Sequence, residues 1–598
     1  MTESGARTNE KWWKTPLHRV GTLREHENQV FLVLALVIGA LTGLAVVAFI
    51  LVTERVGMRL YPAGGAAWRR PLFPVLGSLG IGYLLYRYFP NARGSGVPQT
   101  KAALFAGEGR ITLRTVIGKF FCTSVTLASG IPLGREGPSV QVGAGIASVL
   151  GRRLGLSSEK VKALLPVGAA AAVAAAFNTP LAAVVFSLEE IVGDMHAPVL
   201  GSVVLASATA WVVLRVLLGN NPLFRVPQYQ LVHPVELAIY AVLGVAGGVV
   251  SAFFTRFLLH LRAHFLRLPR WTAWFQPVTG GLLVGAMGLF VPQVMGVGYG
   301  YVGDVLNGHM ALSLMLLLLL LKLFAVTTSY ASGNAGGIFG PSLFLGAMLG
   351  GALGTVAHHF LPAYTATPGA YALVGMGAVF AGIVRTPMTS VLMIFEMTQD
   401  YAVIVPLMIS NLVSLYIASR LQRQPIYEGL AIQDGIHLPT EETLHRHGQR
   451  TILRVMRTAK ETLDADLTVK DAWARARSTG LRTWIITGQR GVIGVVNRAW
   501  FERQSPEHGD SKLGDLVDPA IFPHVHSDQG LDSALNRMGL YHIDMLPVVS
   551  RADVRKLEGV VVLNEILESY GISQQEKNSP DGEGKKSGYT ENHNFDGK

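Results

Sequence analysis

The sequence predicts an all-α polytopic membrane protein, made of a duplicated domain of broken, tilted helices and followed by a cytoplasmic α/β region. Three observations predict it. First, the 598 residues are 50% hydrophobic and only 15% charged, with a mean hydropathy of +0.36, whereas a soluble chain carries about a quarter charged residues. Second, apolar runs at 29–52, 72–88, 199–218, 236–258, 275–291, 311–328 and 403–420 are each long enough to span a bilayer. Third, Gly94-Ser95-Gly96-Val97-Pro98, Gly134-Arg135-Glu136-Gly137-Pro138 and Gly336-Gly337-Ile338-Phe339-Gly340-Pro341 interrupt strongly apolar surroundings. Lipid offers no water to a free backbone N–H or C=O, so broken helices persist there only around a cavity or an ion. A helix that starts in mid-bilayer turns its free N–H groups and positive dipole end into that cavity. Three such ends brought together make an anion site.

In chain order, residues 1–28 form a polar lead-in of mixed charge, and no cleavable signal peptide is expected. Lys11, Lys14, Arg19 and Arg24 favour a cytoplasmic N-terminus. Residues 29–432 are the membrane domain, 433–449 a linker, 450–506 and 511–572 two α/β copies, and 573–598 a polar tail expected to be disordered. The net charge of +11 suits basic cytoplasmic loops facing anionic lipid. No basic stripe with interleaved aromatics occurs, so nucleic acid is not an expected partner. The single cysteine, Cys122, excludes an intrachain disulfide and a Cys-based zinc site. Neither a metal nor a resident cofactor is expected in the membrane domain.

The membrane domain repeats itself. Gly134-Arg-Glu-Gly137-Pro138-Ser139 parallels Gly337-Ile-Phe-Gly340-Pro341-Ser342, and Phe177-Asn178-Thr179-Pro180-Leu181 parallels Val384-Arg385-Thr386-Pro387-Met388. The ninth residue after each proline is a glutamate, Glu189 and Glu396. A nearly constant offset marks one duplicated unit. Duplicated halves with broken helices are a transporter signature, with the site at the repeat interface. Hydropathy does not settle whether the halves are inverted.

The three broken-helix motifs, in this order and spacing, resemble those of the CLC family of chloride channels and proton–chloride exchangers over about residues 30–430. The resemblance implies a homodimer in the cell membrane, inner or plasma, with both termini cytoplasmic. Each subunit would carry its own pathway between two inverted halves. Chloride and protons are the implied substrates.

Ser95 lies between two glycines that let the backbone approach an ion, and its hydroxyl can donate one hydrogen bond. Alone, Gly-Ser-Gly would read as a turn or a helix cap; with its two companions it matches the family's chloride-coordinating serine. Ile338 and Phe339 are expected to offer main-chain N–H groups at the helix beginning near Pro341. Tyr427, in Pro425-Ile426-Tyr427, matches the family's pore tyrosine; without the resemblance it would read as an interfacial aromatic. The resemblance thus implies chloride binding by Ser95, Ile338, Phe339 and Tyr427. Ser95 is the chloride-type choice, with bromide and nitrate also expected to permeate. No Lys or Arg need touch the ion, since partial dipoles bind loosely enough to release it. Lys119 and Arg135 either raise the local potential or act as structural cations.

Glu136 is a carboxylate inside the membrane, a functional candidate by default. At a helix N-terminus it can occupy an anion position when ionised and leave when protonated, which makes it gate and proton carrier together. Glu189 and Glu190 are separated by the repeat. Glu189 has a counterpart, Glu396, which suits an architectural role, whereas Met397 stands opposite Glu190. By resemblance Glu190 is the intracellular proton glutamate of the exchangers; the bland alternative is a solvated carboxylate at a helix end.

From about residue 450 a β-α-β-β-α pattern occurs twice. Asp544-Met-Leu-Pro-Val-Val-Ser550 and the stretch from Gly559 to Leu567 resemble tandem CBS domains, the first copy being degenerate. Nucleotide-binding copies carry Ser or Thr after the last strand and Asp three residues on. Here the first copy has Asn497 and Trp500, and the second Val562 and Glu565. Only Glu565 retains a ribose-type acceptor, so the pair is read as a dimerisation platform or an adenosine-nucleotide site.

The preferred reading is proton-coupled chloride exchange gated by Glu136; the alternative is a passive voltage- or pH-gated chloride channel of the same fold. An intramembrane enzyme using Glu136 with Glu189 or Glu190 as acid and base lacks a nucleophile paired with a base. His358 and His359 are adjacent, and no H-E-x-x-H occurs. A nucleotide sensor with a mere membrane anchor would need neither broken helices nor duplicated halves.

Overall fold

The computed structural model describes residues 27–195, 199–219, 224, 226–227, 229, 231–436, 451–459, 462–479, 481–489, 491–517, 522–541 and 543–569. Nearly all of the lead-in expected at 1–28, most of the linker at 433–449 and the tail at 573–598 lie outside the described residues. The chain divides into two compact units, Met1–Leu438 and Pro439–Lys598.

Among the described residues the first unit contains α1 (Glu27–Leu60), α2 (Arg69–Arg87), α3 (Val97–Phe105), α4 (Leu113–Ala128), α5 (Glu136–Arg153), α6 (Ser158–Phe177), α7 (Pro180–Phe186), α8 (Leu200–Leu218) and α9 (Glu236–Arg267). The same unit continues with α10 (Pro277–Phe290), α11 (Tyr299–Leu306), α12 (Leu312–Ala331), α13 (Phe339–Phe360), α14 (Pro368–Val384), α15 (Pro387–Thr398), α16 (Ile404–Leu421) and α17 (Ile426–Gln433). Seven stretches among the described residues are long and apolar enough to cross a membrane: Val30–Leu60, Ser158–Phe177, Leu200–Leu218, Glu236–Arg267, Leu312–Ala331, Phe339–Phe360 and Tyr401–Gln433.

Two of these, α6 and α13, were not among the apolar runs read from the sequence. Both are rich in Ala and Gly, which lowers hydropathy, and 83% and 78% of their apolar windows are buried in protein. Small residues let their backbones meet. A Cβ on Gly143 or Gly168 would lie 2.2 Å from the other's carbonyl oxygen between α5 and α6, and one on Gly346 or Gly375 would lie 2.3 Å from the other's between α13 and α14. Conversely, the runs at 72–88 and 275–291 form α2, which contains Pro74, and the 14-residue α10, and neither meets the length and apolarity of the seven stretches.

The orientation of the halves is visible at their junction. Gly134 and Gly337, matching positions of the two motifs, form an antiparallel bridge with reciprocal N–H···O bonds of 2.7 Å. A two-fold relation passes between them. Just beyond these glycines α5 and α13 begin, so their N-termini meet and the helices run apart. This is the inverted-repeat arrangement.

The second unit holds two small α/β copies. In the first, β1 (Thr462–Asp464) pairs in parallel with β2 (Thr483–Gly488), which pairs antiparallel with β3 (Gly491–Asn497). Helices Val469–Arg477 and Arg498–His508 complete the copy. In the second, β4 (Met545–Val549) pairs antiparallel with β5 (Leu557–Val562), flanked by helices Leu531–Tyr541 and Leu563–Ser569. A single parallel bridge from Val525 to Val548 stands where the first copy has β1. Ile485, Val492, Met545, Val549 and Val560 share one buried cluster, so the copies are packed together.

Candidate functional site

The site is built where the Gly/Pro motifs converge. Gly96, the residue before α3, has φ of +106°, and a Cβ there would lie 2.2 Å from Gly137 O at the start of α5. Glycine is required on both counts, and the close approach seats the Ser95 loop against the α5 N-terminus. Lys119, fully buried on α4, fixes that loop by donating to Ala92 O at 2.9 Å and Gly94 O at 2.6 Å. The Ser95 N–H donates to the Tyr330 hydroxyl at 3.1 Å. The Ser95 hydroxyl is buried and has no hydrogen-bond partner among the described residues, and the same holds for the hydroxyl of Tyr427. A buried hydroxyl left without a partner is costly.

Tyr427 is the second residue of α17, which packs against α3 and α14. Like Ile338 and Phe339 it is buried. Phe339 opens α13, and its ring packs on Phe177 at 4.9 Å, Phe186 at 5.5 Å and Phe380 at 4.4 Å. This apolar packing excludes water while leaving the main chain to do the polar work. The first intrahelical bond there is made by Ser342 N–H to Ile338 O at 3.0 Å. The N–H groups before it point out of the helix end.

Glu136, fully buried, lies across this end. Its Oε2 accepts the Gly340 N–H at 3.2 Å, and its Oε1 accepts the hydroxyl of Tyr299. The carboxylate of one half therefore rests on the helix N-terminus of the other.

The two neighbouring cations are occupied otherwise. Lys119 binds main-chain carbonyls and, among the described residues, no carboxylate. Arg135 pairs with Glu54 at 3.3 Å. Glu190 sits on a π-helical turn, Ser187–Val192, an uncommon form found at functional sites. It is 7% exposed and bonded to Lys101 Nζ at 2.9 Å, which corrects the alternative of a solvated carboxylate. Lys101 is on α3, the helix that starts beside Ser95, so one short helix connects the two places. Glu189 and Glu396 each accept N–H groups at a helix start in the other half.

The structure thus brings Ser95, Glu136, Ile338 and Phe339 to one convergence, with Tyr427 on α17 packed against α3 and Glu190 reached through Lys101 from the middle of α3. Glu565 belongs to the second unit. Its Oε1 meets Arg457 Nε at 3.3 Å, and its Oε2 is buried without a partner among the described residues. Arg457 lines a cavity of about 400 Å³ with Thr458, Thr479, Leu481, Met545 and Val560. Sequence reasoning missed Tyr299, Tyr330 and Lys101. Tyr299 had a signal: Gly296-Val297-Gly298-Tyr299 is the second-half counterpart of Gly94-Ser95-Gly96-Val97. Lys322 even repeats the part of Lys119, donating to Val294 O at 3.0 Å and Gly296 O at 2.6 Å.

Inverted halves of broken helices that meet around a buried carboxylate define a polytopic membrane protein built on a duplicated unit. A model of the family described as voltage gated chloride channel matches residues 77–419, and the chain belongs to that family. It is 35% identical over 354 residues to the H(+)/Cl(-) exchange transporter ClcA of Vibrio campbellii, a match covering 58% of this chain and 76% of that relative. Among solved structures it is similar to a slow cyanobacterial Cl−/H+ antiporter, with 28% identity, a TM-score of 0.63, and coverage of 68% of this chain and 97% of the other. A eukaryotic CLC transporter shares the fold over 90% of this chain and 97% of its own, at 20% identity and a TM-score of 0.58.

Proposed function

We propose that the chain exchanges chloride for protons across the membrane, with Glu136 as the gate. The observation that carries this reading is the Glu136 carboxylate resting on the Gly340 N–H. An ionised carboxylate and a chloride ion want the same helix end, so each displaces the other. Protonation removes the negative charge, the side chain leaves, and chloride takes its place against the Ser95 and Tyr427 hydroxyls and the main chain at Ile338 and Phe339. With Lys119 and Arg135 engaged elsewhere, the ion is held by partial charges and can leave again. The proton leaves Glu136 towards the other side through a branch that ends at Glu190, whose bond to Lys101 keeps a charged carboxylate tolerable in a buried place. Relatives named as proton–chloride exchangers support the coupling.

The same reading places both termini in the cytoplasm, the chain in the cell membrane, and two identical subunits in the transporter, each with its own pathway. It takes the second unit as a CBS pair that serves as a dimerisation platform. An adenosine nucleotide there would use Glu565 and the Arg457 cavity, but Val562 offers no hydroxyl where a phosphate would need one. Calorimetric titration of the full-length protein with AMP and with ATP tests this.

The decisive experiment records chloride and proton movement together in vesicles containing the purified protein, at two pH gradients. Chloride running down its gradient is expected to drive protons up theirs. Chloride flux without proton movement would replace this reading with the passive channel.

A further inference from the structure

We infer that Tyr299 is a positioning residue for the gate: its phenol latches the ionised Glu136 carboxylate onto the α13 N-terminus and sets how readily chloride displaces it. The inference rests on the reading of Glu136 as gate. Of the carboxylate's two oxygens, one is held by the Gly340 N–H at 3.2 Å and the other by the Tyr299 hydroxyl. A Cβ placed on Gly340 would lie 2.9 Å from that hydroxyl and 3.1 Å from Glu136 Oε2, so the phenol and carboxylate meet directly over the helix end.

The phenol is firmly aimed. Its ring stands edge-on to Phe224 at 5.9 Å and under the Arg135 guanidinium at 5.8 Å, which Glu54 holds in turn. Its backbone follows Gly298, with φ of +88°, where a Cβ would lie 2.7 Å from the Phe344 ring. Lys322 pins the same loop through Val294 and Gly296. The two Gly-x-Gly loops of the duplicated unit therefore divide the work. The first carries its hydroxyl on Ser95, which has no protein partner among the described residues. The second has Val297 at that position and supplies its hydroxyl two residues later, where the carboxylate takes it.

The test is a two-by-two comparison of wild type, Tyr299→Phe, Glu136→Ala and the double variant, reconstituted in vesicles. Phenylalanine keeps the ring packing and removes only the donor. Loss of a hydrogen bond to a charged group is expected to lower the chloride concentration for half-maximal flux about tenfold. On the Glu136→Ala background the same substitution is expected to change nothing. Calorimetric chloride titration of the four purified proteins supplies the same comparison where flux is lost. An unchanged half-maximal concentration in Tyr299→Phe overturns the latch and leaves the gate standing. An equal shift with and without the carboxylate also overturns it, because the tyrosine would then act on the ion site itself. Proton coupling that survives Glu136→Ala overturns the gate and the latch with it.

Discussion

Glu189 and Glu396 cap each other's halves. The Glu396 carboxylate accepts the N–H groups of Leu181 at 2.9 Å and Ala182 at 2.7 Å, at the start of α7. Glu189 accepts those of Met388 at 3.2 Å and Thr389 at 2.8 Å, at the start of α15, together with the Thr389 hydroxyl at 2.7 Å. An anion at a helix N-terminus satisfies orphan donors and meets the favourable end of the dipole. The exchange locks the two copies across their two-fold. It also explains why the adjacent Glu190, which has Met397 opposite it, is left for another task.

Removing one of these caps should weaken the molecule without touching transport chemistry. Glu396→Ala is expected to cost about 1–3 kcal/mol of stability through the orphaned N–H groups. Thermal unfolding in detergent should show the loss, and the chloride-to-proton ratio in vesicles should stay at its wild-type value. A changed ratio would mean that Glu396 belongs to the pathway.

The hydroxyls of Ser95 and Tyr427 predict a loss of a different kind. Ser95→Ala and Tyr427→Phe each remove a buried donor that has no protein partner among the described residues. Stability should hold or rise slightly, while chloride binding weakens by about 0.5–1.5 kcal/mol per hydroxyl. Calorimetric titration with chloride measures it. Binding as tight as wild type in both variants would remove the hydroxyls from the site.

The two carboxylates of the proton route are expected to separate in flux assays. Glu136→Ala should abolish proton movement and leave chloride flux that no longer depends on a gate. Glu190→Val should keep chloride flux and stop proton transport; valine fills the space without leaving a buried charge, though Lys101 then loses its partner at 2.9 Å. Coupled transport in Glu190→Val would exclude that residue from the route.

Gly96→Ala is expected to fail more severely than its size suggests. The backbone there has φ of +106°, and the new methyl would press on Gly137 O from 2.2 Å. Both the strained backbone and the clash fall between the Ser95 loop and α5. The variant should accumulate poorly or lose chloride binding in detergent. Wild-type affinity and yield would show that the loop has room to shift.

Much of the site was legible because its determinants are local. A Gly or Pro that breaks a helix does so through its own backbone, so the Ser95, Glu136 and Phe339 motifs announced helix ends in the right places. The repeat told Glu189 from Glu190 before any contact was known. Hydropathy did less well where helices face protein. The Ala-rich α6 and Gly-rich α13 are buried helices whose small side chains score as weakly apolar. Tyr330 and Lys101 escaped because an isolated tyrosine or lysine carries no sign of its partner, and Tyr299, though marked by the repeated Gly-x-Gly loop, gave no sign that Glu136 would meet it.

By itself, then, the chain determined that helices would stop inside the membrane, that the unit would be used twice, and which carboxylates would be stranded there. These follow from backbone stereochemistry and from the cost of polar groups in lipid, which act residue by residue. Tertiary structure alone decided that Gly134 would pair with Gly337, that Glu136 would rest on Gly340 and Tyr299, and that Lys101 would meet Glu190. Those contacts join residues far apart in sequence, and only the packing of one half against the other brings them within reach.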